Sequence, residues 1–190
     1  MSHSSPFVAL VIAATTLGTG SLNAQQNPLA LEAEIETTFT TSAGQQSVPG
    51  HYYRSQAGKT REDSPLGSII TDVTAGTITL LNPATKEAKV IVMAGQPPPP
   101  APTAGNALVP FEAGTIEGHA VTKVRQEMAG QTQELWTAAD LGLVVLSKVV
   151  APDFAMTREL RNFSLHEPNP AVFLIPNGYT VTQAPPPPLP

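Results

Sequence analysis

The residues of this 190-residue chain that could carry acid–base or metal chemistry are few. Beyond the first 24 positions there are three histidines, His51, His119 and His166, and two carboxylate groupings, Glu62-Asp63 and Glu32/Glu34/Glu36. A metal site needs imidazole and carboxylate ligands converging on one point. The three histidines fall in separate segments, and none pairs with another at i,i+2 or i,i+4. They read as solvated or hydrogen-bonded strand histidines. Glu62 and Asp63 are adjacent, so in a strand they point to opposite faces and cannot share a proton. Glu32, Glu34 and Glu36 share one face, as a solvated strand surface would. With 0 cysteines there is no thiol nucleophile, no cysteine-held metal, no disulfide and no site for an N-terminal lipid on cysteine. No G-x-S-x-G elbow, P-loop or dinucleotide fingerprint follows the N-terminal stretch, whose Gly18-Thr19-Gly20 holds the one G-x-G. Asn162-Phe163-Ser164 has the form of a glycosylation sequon, a tripeptide that chance supplies often. The expectation is a protein that is not an enzyme and takes no cofactor and no metal.

The elements that hold these residues read as strands. Leu29, Leu31, Ala33, Ile35, Thr37 and Phe39 alternate with polar residues through Thr40, a period of two that turns the three glutamates one way and the apolar set the other. Further strands follow over His51–Gln56, Lys59–Asp63, Ser68–Val73, Thr77–Leu81, Glu87–Met93, Ile116–Arg125 and Gln133–Thr137, punctuated by Ala-Gly and Asn-Pro turns. Leu141–Val150 is apolar on both faces, as a covered central strand would be. Met156–His166 and Gly178–Thr182 complete the set. Between those last two, Pro168, Pro170 and Pro176 hold an irregular segment whose Val172, Phe173 and Ile175 are expected to plug one end of the core. This spacing predicts a mainly β fold, a curved up-and-down antiparallel sheet. A short helix has room on the concave face near Leu29 or Ala138.

Both ends and one internal stretch differ in composition. Phe7–Leu17 is an apolar run of signal-peptide length before GTGSLNA, so residues 1–24 read as a signal peptide cleaved between Ala24 and Gln25. Gln96–Asn106 (QPPPPAPTAGN) cannot lie inside a sheet, because proline lacks the ladder N–H, and is expected to be a polyproline-II loop joining two halves. Residues 25–183 then form one domain, and 184–190 a proline-rich disordered tail.

Composition narrows the role. Ten Lys+Arg against 15 Asp+Glu give a net charge of -5, and no basic patch suggests nucleic acid. No apolar run reaches the length of a membrane-spanning helix. Aromatics are 5% of the chain, too few for a platform that stacks sugars or bases. Among them Tyr53 and Trp136 are the candidate ligand-binding residues. Tyr52 and Tyr53 must split between the two faces, so one at most lines a concave pocket.

Three segments, HYYRSQAGKTRED with IITDVTAGTITLLNPATKEA, ELWTAADLGLVVLSK, and EPNPAVFLIPNGYTV, resemble a signature recurring in uncharacterised exported bacterial proteins grouped with the lipoprotein-carrier-like (LolA/LolB-like) half-barrels. The resemblance covers most of Tyr52–Val181 and implies a curved antiparallel sheet around an apolar cavity. With it, the expected role is a secreted or periplasmic, soluble, non-enzymatic binding protein. Its expected partner is an apolar ligand, lipid or lipoprotein-like, or an envelope protein. The alternative is a structural or interaction module of the envelope with no small-molecule ligand.

Overall fold

A computed structural model describes residues 28–93, 112–128 and 130–184. Strands account for 67% of the described residues and helical residues for 3%. The strands in chain order are β1 (Leu31–Thr41), β2 (Gly44–Arg54), β3 (Thr60–Ser64), β4 (Gly67–Asp72), β5 (Thr77–Asn82), β6 (Glu87–Val92), β7 (Glu112–Ile116), β8 (His119–Met128), β9 (Gln131–Ala138), β10 (Leu143–Ala151), β11 (Phe154–Ser164) and β12 (Thr180–Ala184). All belong to one curved sheet that does not close into a barrel, in the order β12-β6-β5-β4-β3-β2-β1-β11-β10-β9-β8-β7. Two meanders, β1–β6 and β7–β11, meet along the β1–β11 ladder.

The up-and-down expectation holds within each meander and fails between them. The chain leaves β6 beside one edge and re-enters at β7 on the other, and after β11 it crosses back to lay β12 parallel to β6. Only the antiparallel steps carry the Gly and Pro turn signals that a sequence displays. Glu117-Gly118, between β7 and β8, is such a turn: both residues have positive φ, the geometry that matches strand twist. Neither Leu29 nor Ala138 is helical. The helical turn among the described residues is a 3-10 turn over Pro170–Phe173, capped by the Asn169 side chain, in the crossover rather than on the concave face. No helix among the described residues is long and apolar enough to cross a membrane. The segments read as signal peptide (1–24) and proline loop (96–106), and residues 185–190 of the tail read over 184–190, lie outside the described residues; Ala184, read as the start of that tail, is instead the last residue of β12, paired with Ile91.

The register sorts the side chains into two faces. Leu31, Ala33, Ile35, Thr37 and Phe39 of β1 share a face with Tyr52 and Val48 of β2 and with Leu160, Arg158, Met156 and Phe154 of β11. Glu32, Glu34 and Glu36 share the other with His51, Tyr53, Glu159 and Arg161. Two observations show that the apolar face is the concave one. Arg158 Nη2 donates to Glu62 Oε1 at 2.6 Å, although β1 and β2 lie between their strands. In a flat sheet those backbones would stand about 14 Å apart. Second, a Cβ on Gly50 would come within 2.3 Å of the Asp63 carbonyl oxygen, so β3 rides over β2 at a residue without a side chain. There β3 also ends its pairing: it bonds β2 only over His51–Arg54, and the Gly44–Gly50 stretch keeps β1 alone as partner.

The main core consists of Leu31, Ala33, Ile35, Tyr52, Val121, Ala138, Leu141, Val145 and Leu160. Leu31, Val145 and Leu160 are fully buried. A bulge between Val144 and Leu146 helps turn β10 so that Val145 joins this core. A satellite cluster of Ile70, Leu81 and Ala88 lies on the outer face under Ile175 and Tyr179 of the crossover. The crossover therefore covers the outside of β4–β6 and does not plug the main core. Ile175 does the covering, the Val172 carbonyl accepts from Arg61 Nη1 at 2.6 Å, and Phe173 is half-buried.

Candidate functional site

The concave face changes character along its strands. At the end holding Leu31, Tyr52 and Leu160 it is packed shut. Arg54 closes that end. Its guanidinium, almost wholly buried, donates from Nε to the Leu29 carbonyl at 2.8 Å, from Nη1 to Gly142 at 3.1 Å and from Nη2 to Leu141 at 2.5 Å. Burial is the main cause that holds the Arg54 pKa below the usual arginine value. Burial likewise pushes the Tyr52 phenol up to about 12, with the nearby Glu62 carboxylate adding to the rise against the Arg54 and Arg158 charges.

Beyond Ile35 the same face is half-open. Thr37, Phe39, Val48, Val149, Phe154 and Met156 follow one another across β2, β1, β11 and β10, each half-buried. The Phe39 and Phe154 rings stand 6.2 Å apart at a tilt of 36°. Here the sheet is reduced on one side to β2 alone, because β3 has already turned away. The result is an apolar shelf that continues directly from the closed core, with the Arg158–Glu62 pair between the two.

The outer face carries the charge. Two shallow open grooves, of about 400 and 270 Å³, share Pro49, Gly50 and His51; Glu34, Glu36 and Arg161 line the larger and Asp63, Ser64 and Pro65 the smaller. Their ionic groups are already paired. Arg161 reaches Glu36 at 2.8 Å and Glu159 at 2.6 Å, Asp63 binds Arg61 at 2.6 Å, and Glu34 accepts from Asn162 at 2.8 Å.

The residues singled out from the sequence fall as follows. Tyr52 and Tyr53 do split, Tyr52 into the core and Tyr53 to the outer face, with its ring 6.3 Å from that of His51. Trp136 packs, half-buried, against the main core, with the ammonium groups of Lys123 at 4.7 Å and Lys148 at 5.2 Å from its ring centre. Strands β1, β11 and β10 separate Tyr53 from Trp136, so the two do not meet in one pocket. Glu62 and Asp63 point to opposite faces. His119 binds Asp140 at 2.7 Å and His166 binds Glu32 at 3.2 Å, both with exposed or half-exposed carboxylates and neither in a groove. His51 borders both grooves. Among the described residues no three His, Asp or Glu side chains stand close enough to hold a metal ion. Sequence reading passed over Phe39, Val48, Phe154, Met156 and Arg54. The alternation of β1 reaches Phe39, but the Ser42-Ala43 turn and the β2 arm beyond it carry weak signals. The partner of Arg54 is backbone, which leaves no mark in a sequence.

No protein-family profile matches the chain, and no curated protein matches it. Solved structures do match in fold. MucB superimposes with a TM-score of 0.54 at 9% identity over 80% of this chain and 58% of that one. Other structures hold MucB in complex with MucA(peri), and the MucA/MucB complex of Pseudomonas aeruginosa matches at TM-score 0.54 and 10% identity, over 78% of this chain and 56% of that one. PNGF-II matches with TM-score 0.52 at 15% identity over 82% of this chain, which spans 32% of that protein. The lipoprotein-carrier resemblance recurs in the LolA superfamily protein NE2245 from Nitrosomonas europaea, at TM-score 0.39 and 5% identity over 79% and 92% of the two chains. The chain spans about a third of PNGF-II and less than two thirds of MucB.

Proposed function

We propose that this protein is a non-enzymatic binding protein of the cell envelope, exported and soluble, whose curved sheet holds an apolar ligand at the open half of its concave face. One observation carries the reading: a single apolar face is sealed at Leu31, Tyr52 and Leu160 and continues, half-exposed, through Phe39, Val48, Phe154 and Met156. Concave apolar surface with few polar groups suits an acyl chain or an apolar segment of a partner. Fold likeness supports the architecture only, since one fold hosts many roles.

The test is displacement of a fluorescent fatty-acyl probe by unlabelled palmitate. Saturable binding is expected, and Phe39→Asp, which puts a charge on the shelf, should weaken it at least tenfold, a loss of about 1.4 kcal/mol or more. Absence of saturable binding, or equal affinity in Phe39→Asp, would refute the reading. A second reading, contact with an envelope protein, draws on the half-buried Tyr53 of the outer face. Tyr53→Ala should leave acyl binding unchanged and lower co-purification of such a partner.

A further inference from the structure

Among the described residues, strand β12 is an edge without the protections that edges usually carry. It lies outermost in the sheet, parallel to β6, and Thr180, Val181, Thr182 and Gln183 are all exposed. An edge strand presents a row of unpaired N–H and C=O groups, and natural sheets guard it with lysine, proline, bulges or a covering segment. Thr-Val-Thr-Gln-Ala has no charge and no proline, and its ladder with β6 runs without a register shift. The other bare backbones are defended or weak. The unpaired stretch of β2 begins with Gly44 and contains Pro49, which lacks an N–H. At the far edge β7 has Gly114 in its middle, which loosens a strand.

The direction of the free groups follows from one bond. Thr180 N donates to the Lys86 carbonyl at 2.8 Å, so Thr180 faces β6. Backbone groups alternate sides along a strand, so Thr182 and Ala184 face β6 as well, while Val181 and Gln183 turn their N–H and C=O outward. These two residues are one apart on either side of Thr182, the spacing that a two-fold antiparallel pair requires.

We propose that β12 pairs with β12 of a second copy of this chain, about a two-fold axis at Thr182. Val181 of each copy then exchanges N–H···O=C bonds with Gln183 of the other, four bonds in all, and the two Thr182 side chains stand opposite each other as a non-hydrogen-bonded pair. A second copy is favoured over a foreign strand because the uncharged sequence meets itself with no like charges opposed. Val181, 53% exposed alone, lies on the same face as Ala88 and gains cover from its counterpart. The contact is isologous, so it closes at a dimer.

Sedimentation velocity of the protein from 1 to 500 µM tests this. The expected result is a concentration-dependent dimer. Gln183→Pro deletes one outward donor and leaves the bonds to β6, and Val181→Lys sets a lysine on the edge; each should weaken association at least tenfold with an unchanged circular dichroism spectrum. Hydrogen exchange of the Val181 and Gln183 amides should slow as concentration rises, while that of the Gln45 amide stays constant. A monomer across the whole range, or association in both variants as strong as in the parent, overturns the proposal.

Discussion

Replacing Arg54 by methionine tests what holds the closed end of the sheet together. The guanidinium is buried with three backbone carbonyls and no carboxylate: among the described residues Arg54 makes no ion pair, so Coulomb attraction to an acid is not the source of its stability. Two terms oppose each other. A buried cation costs several kcal/mol of hydration, which methionine would recover. Against that, hydrogen bonds from a charged donor contribute about 1.5–3 kcal/mol each, and a carbonyl stranded without a partner costs about 1–3 kcal/mol. Water can reach the carbonyls of Leu29 and Gly142, whose residues are exposed, but not that of Leu141, which is 2% exposed. The bonds should win by about 2–4 kcal/mol. For a chain of this size that lowers Tm by roughly 4–16 °C. Arg54→Lys keeps the charge but one point donor, and should fall between. The assay is thermal unfolding by circular dichroism, with hydrogen exchange across 139–143 reporting whether the β9–β10 turn comes loose first. A methionine variant melting within 2 °C of the parent, or above it, would refute the reasoning, for it would mean that desolvation cancels the three bonds.

Other consequences are as direct. Because the Tyr52 phenol is held at about 12 against an ordinary value near 10, its contribution is complete below pH 10 and is lost as pH climbs to 12, where the unfolded chain ionises first. Over that window stability should fall by about 2–3 kcal/mol more in the parent than in Tyr52→Phe, as read from urea midpoints. Gly50→Ala forces its methyl against the Asp63 carbonyl and should cost about 1–3 kcal/mol, whereas Gly114→Ala, with open space around it, should be nearly neutral; urea unfolding compares them. Phe39→Asp should lose acyl-probe binding at least tenfold while keeping the main core, since Phe39 lies outside it.

Much of the fold was legible because its strands are amphipathic and joined by local turns. The alternation from Leu31 to Phe39 gives both the strand and its inward face; Leu141–Val150, read as covered on both faces, forms a central strand between two neighbours, but within β10 Val145 alone is buried and Val150 is exposed. What failed was non-local. Nothing in Thr180–Ala184 states that it runs parallel to β6, for that depends on the crossover after Ser164 being carried by Ile175 and Tyr179 to the far side. Nor does the sequence say that the concave face is filled at Leu31 and open at Phe39, because that contrast comes from where β3 stops. Tyr53 and Trp136 drew attention as large aromatics, yet parity alone puts Tyr53 beside the glutamates, a deduction open to anyone who fixed Leu31 as inward.

The β1–β11 seam also governs the order of assembly. Glu34 faces Arg161, so the first strand made waits for almost the last before its second side is satisfied. Until then β1–β6 can zip as neighbouring hairpins with Leu31, Ala33 and Ile35 half-clothed, and β7–β11 can do the same. The joining step closes a loop of more than a hundred residues, which makes it slow, and it leaves a greasy margin open to self-capture in the meantime. Refolding should therefore be rate-limited by the meeting of two preformed ribbons, and yield should fall with protein concentration even where the finished molecule is stable.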